Sequence, residues 1–172
     1  RILMLASELA LPIHIHLHET PDEVADARQK VGQSWVSFLE SRGLLLPELQ
    51  AVHMTTLTSD EIDLVASRGV SVIHCPHSNM KLASGACPEM CIRDSGACPV
   101  GELRNRGVTV ALGTDGAASN NVLDLLGEAR LAGLLGKLIA NDPADLKATD
   151  LLAMATSEGA RALGLESWIG SS

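Results

Sequence analysis

The sharpest pattern in the chain lies at residues 11–19, where apolar Ile13, Ile15 and Leu17 alternate with His14, His16 and His18. A period of two is that of a strand with two unlike faces, and one face of this strand carries imidazoles. Ahead of it, residues 1–10 (RILMLASELA) read as the later half of an amphipathic helix, so the chain is expected to begin inside an element. After the strand, Thr20-Pro21-Asp22 is a helix start with Pro early in the first turn. Helical patterning then runs to about residue 31 and again over about 34–42, closed by Gly43. A short strand is predicted at 50–54, and Thr58-Ser59-Asp60-Glu61 opens a helix ending at Arg68-Gly69. The third strand is predicted at 70–74. A loop rich in Pro, Ser, Asn and Gly leads to a helix over 100–106 stopped by Gly107, and a fourth strand at 108–112. Two apolar helices, at about 122–140 and 148–163, complete the pattern.

Four strand-then-helix units in succession predict an α/β fold, a parallel sheet with helices outside it, and four such units are half of a (β/α)8 barrel. In barrels of this kind chemistry collects where strands end and loops begin. His16 with Glu19, His53, His74 and Asp115 each close a predicted strand. That coincidence over four units marks a candidate site. The stretch 123–139 (LDLLGEARLAGLLGKLI) is expected to be a core-facing helix rather than a functional surface.

Composition narrows the partners. At 172 residues, 46% hydrophobic and 20% charged, the chain is long enough for one domain with a packed core. A net charge of -8 without a Lys/Arg cluster argues against nucleic acid and against an anionic membrane surface, and a small-molecule partner fits better. No apolar run approaches the ~20 residues of a bilayer span, and Arg1-Ile2-Leu3-Met4 lacks a signal peptide's character, so a cytoplasmic location is expected. Residues 168–172 show no closing structure, and both termini read as cuts.

One segment breaks the pattern. Ser84-Gly85-Ala86-Cys87-Pro88 recurs as Ser95-Gly96-Ala97-Cys98-Pro99, and such a repeat is far shorter than the ~20–50 residues of a solenoid unit. Back-translation of Glu89-Met90-Cys91-Ile92-Arg93-Asp94-Ser95 as GAG ATG TGT ATA AGA GAC AGC contains the mosaic-end sequence of transposon-based sequencing libraries. Residues 89–99 are therefore read as an assembly artefact within a single domain spanning 1–172; amplification of all eleven codons from source DNA would refute this. Without them Cys91 disappears and Cys87 and Cys98 become one residue. A zinc knuckle built from these cysteines is disfavoured in any case, because the paired C-x2-C spacing is missing.

Catalytic zinc takes imidazole nitrogen and carboxylate oxygen and keeps one position open, and His16 and Asp115 suit it. Four ordered motifs carry a resemblance that covers nearly the whole chain: His16-Leu17-His18-Glu19-Thr20, Ala51-Val52-His53-Met54-Thr55, the run from His74-Cys75-Pro76-His77-Ser78-Asn79 to Gly85, and Leu112-Gly113-Thr114-Asp115-Gly116 through Asn121. The chain resembles the amidohydrolase superfamily, and within it the 5'-methylthioadenosine/S-adenosylhomocysteine deaminases. The resemblance implies strands five to eight of a TIM-like barrel, the C-terminal half.

It further implies one divalent metal, zinc first with iron or another divalent ion as alternatives, held in part by His16 and Asp115. The implied reaction is hydrolytic deamination of a purine nucleoside. In it Glu19, His53 and Asp115 are catalytic, and Glu19 and Asp115 also contact the substrate. Glu19 shuttles the proton, His53 hydrogen-bonds the developing tetrahedral centre, and Asp115 meets the attacking water. A homo-oligomer of the full-length protein fits the same resemblance.

His14 and His18 share a face with His16 and imitate the superfamily's N-terminal His-x-His, but Glu19-Thr20 follows directly, which places this strand in the second half. His74 is expected to support the site or its loop, while His77 and Asn79 sit in a loop that either lines the pocket or is simply exposed. Gly113-x-x-Gly116 lacks the phosphate-loop patterns, and its expected use is a tight turn around Asp115. The superfamily's strand-one histidines are absent from this sequence, so the fragment alone is expected to be inactive. An s-triazine chlorohydrolase or guanine-type aminohydrolase is the alternative enzyme reading, and a non-catalytic half-barrel interaction module is the alternative outside enzymes.

Overall fold

The computed structural model describes residues 1–84 and 97–170. Their order is α1 (Ile2–Leu9), β1 (Ile13–Leu17), α2 (Pro21–Val31), α3 (Trp35–Ser41), β2 (Leu49–His53), α4 (Ser59–Ser67), β3 (Ser71–His74), α5 (Pro76–Lys81), α6 (Val100–Asn105), β4 (Val110–Leu112), α7 (Leu125–Ala140), α8 (Ala148–Ala155) and α9 (Ser157–Ala162). The strands form one parallel sheet in the order β1-β2-β3-β4, so each pairs with its neighbour in sequence and β1 and β4 are edges. This is the expected half of a (β/α)8 barrel.

Register sorts the side chains into two faces. Ile15 pairs with Ala51, Ala51 with Val72 and Val72 with Val110, which puts these residues on one face together with Leu17, Leu49 and Leu112. That face is packed under helices, where Ile62 and Val65 of α4, Leu103 of α6, Ala132 of α7 and Met154 of α8 complete a buried cluster. A fully buried Leu or Ile contributes ~1.5–3 kcal/mol, so this one-sided core holds the sheet. His14, His16, Gln50 and Val52 take the opposite face. Among the described residues no helix is long and apolar enough to cross a membrane.

Local sequence explains most boundaries. The Thr20 side chain accepts from the Glu23 amide at the start of α2, and Gly32 ends that helix in the left-handed region. Thr58 and Glu61 form a reciprocal capping box on α4. Asp124 caps α7, which therefore starts later than its apolar run suggests. Gly133 and Gly136 let α7 approach closely, since a Cβ on them would lie 2.5 Å from the Leu151 side chain and 2.3 Å from that of Leu146.

Two elements differ from expectation. The helix predicted over 148–163 is broken at Thr156, whose backbone is non-helical (φ -131°, ψ -90°). Its hydroxyl takes the Leu152 carbonyl at 2.6 Å, the acceptor its own amide would use in an unbroken helix. The segment read as a loop after β3 contains α5. Pro76 stands at its first position, where a missing N–H costs nothing. No side chain at its N-terminus caps it; the carboxylate of Glu128, on α7, accepts the His77 amide at 3.1 Å instead.

Candidate active site

The site is assembled at the carboxyl ends of the strands by turns that depart from regular geometry. Strand alternation alone would point His53 to the helix-packed face, opposite His16. His53 instead has φ +77°, and the Met54 amide reaches back to the Val52 carbonyl at 3.2 Å, a three-residue γ-turn centred on the histidine. A non-glycine residue held there stores roughly 1–3 kcal/mol. The turn brings the His53 ring against that of His16, edge to face, with centroids 4.9 Å apart.

Glu19 is fixed just as firmly. The Glu23 carboxylate accepts the amides of His18 at 3.0 Å and Glu19 at 2.8 Å, while the Thr55 hydroxyl donates to the carbonyls of both. The Glu19 side chain accepts from Ser84 at 3.3 Å and faces His53 Nε2 at 3.8 Å. Donor atoms of His16, Glu19 and His53 all lie within 4.8 Å of one another. These three predicted site residues are thus brought together.

Asp115, three residues after the end of β4, has φ +57° and lies outside that tight trio. Its Oδ2 accepts from the Ser78 hydroxyl at 2.6 Å and from Ser119 at 2.8 Å. Partial burial works to raise its pKa, but those hydroxyls, the Gly116 amide and nearby His53 outweigh it and hold the carboxyl below the usual range. His53 is held low by burial, against the opposing pull of Glu19 and Asp115.

The remaining histidines are elsewhere. His74 keeps the regular alternation and is buried on the helix side, where desolvation and then the neighbouring His53 push it down to about 4. His18 is buried, with Nδ1 donating to the Thr56 carbonyl at 2.7 Å. His14 bonds Gln50, whose amide donates to the Ala162 carbonyl of α9. None of these three belongs to the trio.

What sequence reasoning missed is the support. Ser78, Ser119, Ser84 and Glu23 each bond a site residue, whereas Asn79, already singled out in the sequence, has its Nδ2 3.0 Å from His53 Nδ1. Buried Glu128 accepts from Asn120 and pairs with His77 at 2.9 Å, tying α5, the loop after β4 and α7 together. The one legible signal was Thr20-Pro21-Asp22-Glu23, a cap spacing that also predicts a back-reaching Glu23. Cys75 and Cys98 are buried free thiols, both raised by burial, Cys75 to about 12. The other two cysteines, most of the suspected insertion and the intervening repeat lie outside the described residues.

A parallel half-barrel with imidazoles and carboxylates at its strand ends is the architecture of the (β/α)-barrel proteins that place their sites on this rim. The chain belongs to the amidohydrolase family, whose model matches residues 1–171. It is 47% identical over 171 residues to a 5-methylthioadenosine/S-adenosylhomocysteine deaminase of Teredinibacter turnerae, covering 99% of this chain and 36% of that protein. It matches the crystal structure of an adenosine deaminase from Xanthomonas campestris with bound zinc at a TM-score of 0.91 and 49% identity, over 99% of this chain and 36% of the other. Atrazine chlorohydrolase TrzN from Arthrobacter aurescens, complexed with zinc, matches at a TM-score of 0.81 and 29% identity, over 97% and 34%. The chain spans about a third of the length of the curated relatives it matches.

Proposed function

We propose that the protein containing this chain is a divalent-metal-dependent hydrolase that deaminates the adenine ring of a nucleoside of the 5'-methylthioadenosine or S-adenosylhomocysteine kind. The observation that carries this is the convergence of His16, Glu19 and His53 at one rim, in a chain 47% identical to a deaminase of that name. The residues fit a metal by their chemistry, imidazole nitrogen beside carboxylate oxygen, and the buried His53 Nε2 aimed into the same space has no hydrogen-bond partner. His16 and Asp115 would hold zinc, or iron or another divalent ion, with further ligands from outside this chain. When bound, such an ion lowers the pKa of water to ~7 and so supplies hydroxide at neutral pH.

The chain's own groups do the rest. Asp115, kept ionised by the Ser78 and Ser119 hydroxyls, orients the attacking water and takes a proton from it. Glu19 binds the purine ring nitrogen, delivers a proton to it and then assists ammonia in leaving. His53 hydrogen-bonds the charge that develops at the tetrahedral C6 centre.

The likeness to TrzN supports a second reading, displacement of chloride from an s-triazine by the same constellation. Assays of the full-length protein with methylthioadenosine, S-adenosylhomocysteine and a chlorotriazine separate the two. Ammonia release from the nucleosides is the expected result; chloride release without deamination reverses the order. No turnover of any of the three by a metal-replete protein favours the interaction module.

A further inference from the structure

We propose that Asn79 is a positioning residue that sets the tautomer of His53, so that His53 presents an Nε2–H donor to the point where His16 and Glu19 meet. The inference rests on the reading of the site given above and assigns a role to a residue of α5.

Asn79 is buried, 7% exposed, and its Nδ2 lies 3.0 Å from His53 Nδ1. An amide nitrogen only donates, so Nδ1 must be bare, and the single ring proton is then on Nε2. The opposite orientation of the carboxamide would bury its NH2 group without an acceptor in place of Oδ1, the buried atom that lacks a partner now. An orphaned N–H is the rarer defect of the two.

A second observation agrees. His53 Nε2 faces a carboxyl oxygen of Glu19 at 3.8 Å. An N–H at Nε2 faces that oxygen favourably, whereas a bare lone pair there would be set against the oxygen's own lone pairs.

The orienting group is itself held still. The Asn79 amide donates to the Cys75 carbonyl at 3.0 Å, and its own carbonyl accepts from Ser84 at 2.9 Å. On either side of it, the His77 amide is taken by Glu128 and the Ser78 hydroxyl by Asp115. The consequence is a division of labour: His53 donates a hydrogen bond to negative charge and does not ligate a cation, which leaves His16 and Asp115 as this chain's ligands.

The test uses the full-length protein labelled with 15N-histidine, with the His53 resonances assigned by their loss in His53→Gln. Expected is a protonated Nε2 and a bare Nδ1 in the unsubstituted protein. In Asn79→Asp the side chain only accepts, so the tautomer reverses; kcat falls roughly 10²-fold, as for loss of one preorganised donor, with KM and metal content little changed. A proton on Nδ1 in the unsubstituted protein overturns the proposal, as does a tautomer untouched by Asn79→Asp or a reversed tautomer with full kcat. Should Asn79→Asp not fold, the unsubstituted protein's spectrum decides alone. Absence of deaminase activity in the parent would defeat the functional reading while leaving the tautomer measurement intact.

Discussion

Glu19 shows how much one residue's environment decides. It follows His16 by three positions, and its backbone is pinned by Glu23 and Thr55 while its carboxylate is held by Ser84. A carboxylate in that position can move a proton without holding a metal. Glu19→Gln in the full-length protein is expected to retain its metal by elemental analysis and to lose ~10²–10⁴-fold in kcat, the usual contribution of a general acid/base. Unchanged turnover would remove the proton-shuttle role.

His74 makes a different prediction at the same scale. Its imidazole is held at about 4 in the fold against an ordinary 6.5, by burial first and by His53 second. The unfolded chain then binds more protons between these values, so stability declines as pH falls from about 6.5 to about 4 and levels off below. The loss is on the order of 3 kcal/mol at most, from the 1.36 kcal/mol per pKa unit of linkage. Urea midpoints of the metal-stripped full-length protein at pH 7.5 and 4.5, compared with His74→Leu, measure it. The variant should show a shallower pH dependence.

Among the elements, α4 and α5 stand at opposite extremes of local specification. The α4 helix carries its own start: Thr58 and Glu61 cap one another, and Thr58→Ala is expected to cost ~1 kcal/mol in a denaturation midpoint. The Glu61 carboxyl is pushed up by burial, yet hydrogen bonds from Ser34 and Thr58 and the charge of His18 bring it below 4.5. Its contribution is therefore present above that value and disappears as pH falls through the lower folded-state pKa, so the penalty of Thr58→Ala should shrink in acid. The α5 helix, with six residues, has no side-chain cap of its own, only Pro76 at its first position. Its N-terminal amide is satisfied by Glu128, 51 positions downstream, and its side chains reach His53 and Asp115. No window of sequence around residue 76 contains those partners.

For the whole molecule, the one-sided core matters most. Helices cover one face of the sheet; on the other His14 and His16 are exposed, and β1 and β4 are open edges. Large apolar side chains also lie open on α1 (Met4, Leu9), on α7 (Leu126, Leu138) and at Trp168, which is 85% exposed. Unpaired edges and bare apolar surface invite association. The 172-residue chain expressed alone is thus expected to run as soluble aggregates in size-exclusion chromatography, to bind less than one equivalent of zinc and to show no deaminase turnover. A monomer holding stoichiometric zinc tightly would count against the half-site.

The periodicities of the sequence were enough for the parallel α/β half-barrel, because a strand period of two and a helical period of 3.6 are local properties that survive without knowledge of what packs where. The turn signals Thr20, Thr58 and Gly43 were legible for the same reason, and so was the clustering of His16, Glu19, His53, His74 and Asp115 at strand ends. Which of these residues meet was a matter for the tertiary structure. His53 and His74 sit at equivalent ends of adjacent strands, yet a γ-turn with positive φ swings one into the trio while regular alternation buries the other. That turn, the α5 helix and the Ser78 hydroxyl on Asp115 are held by contacts between residues 26 or more apart in the chain, and only the assembled fold supplies those partners; Ser119, four positions from Asp115, is the local exception.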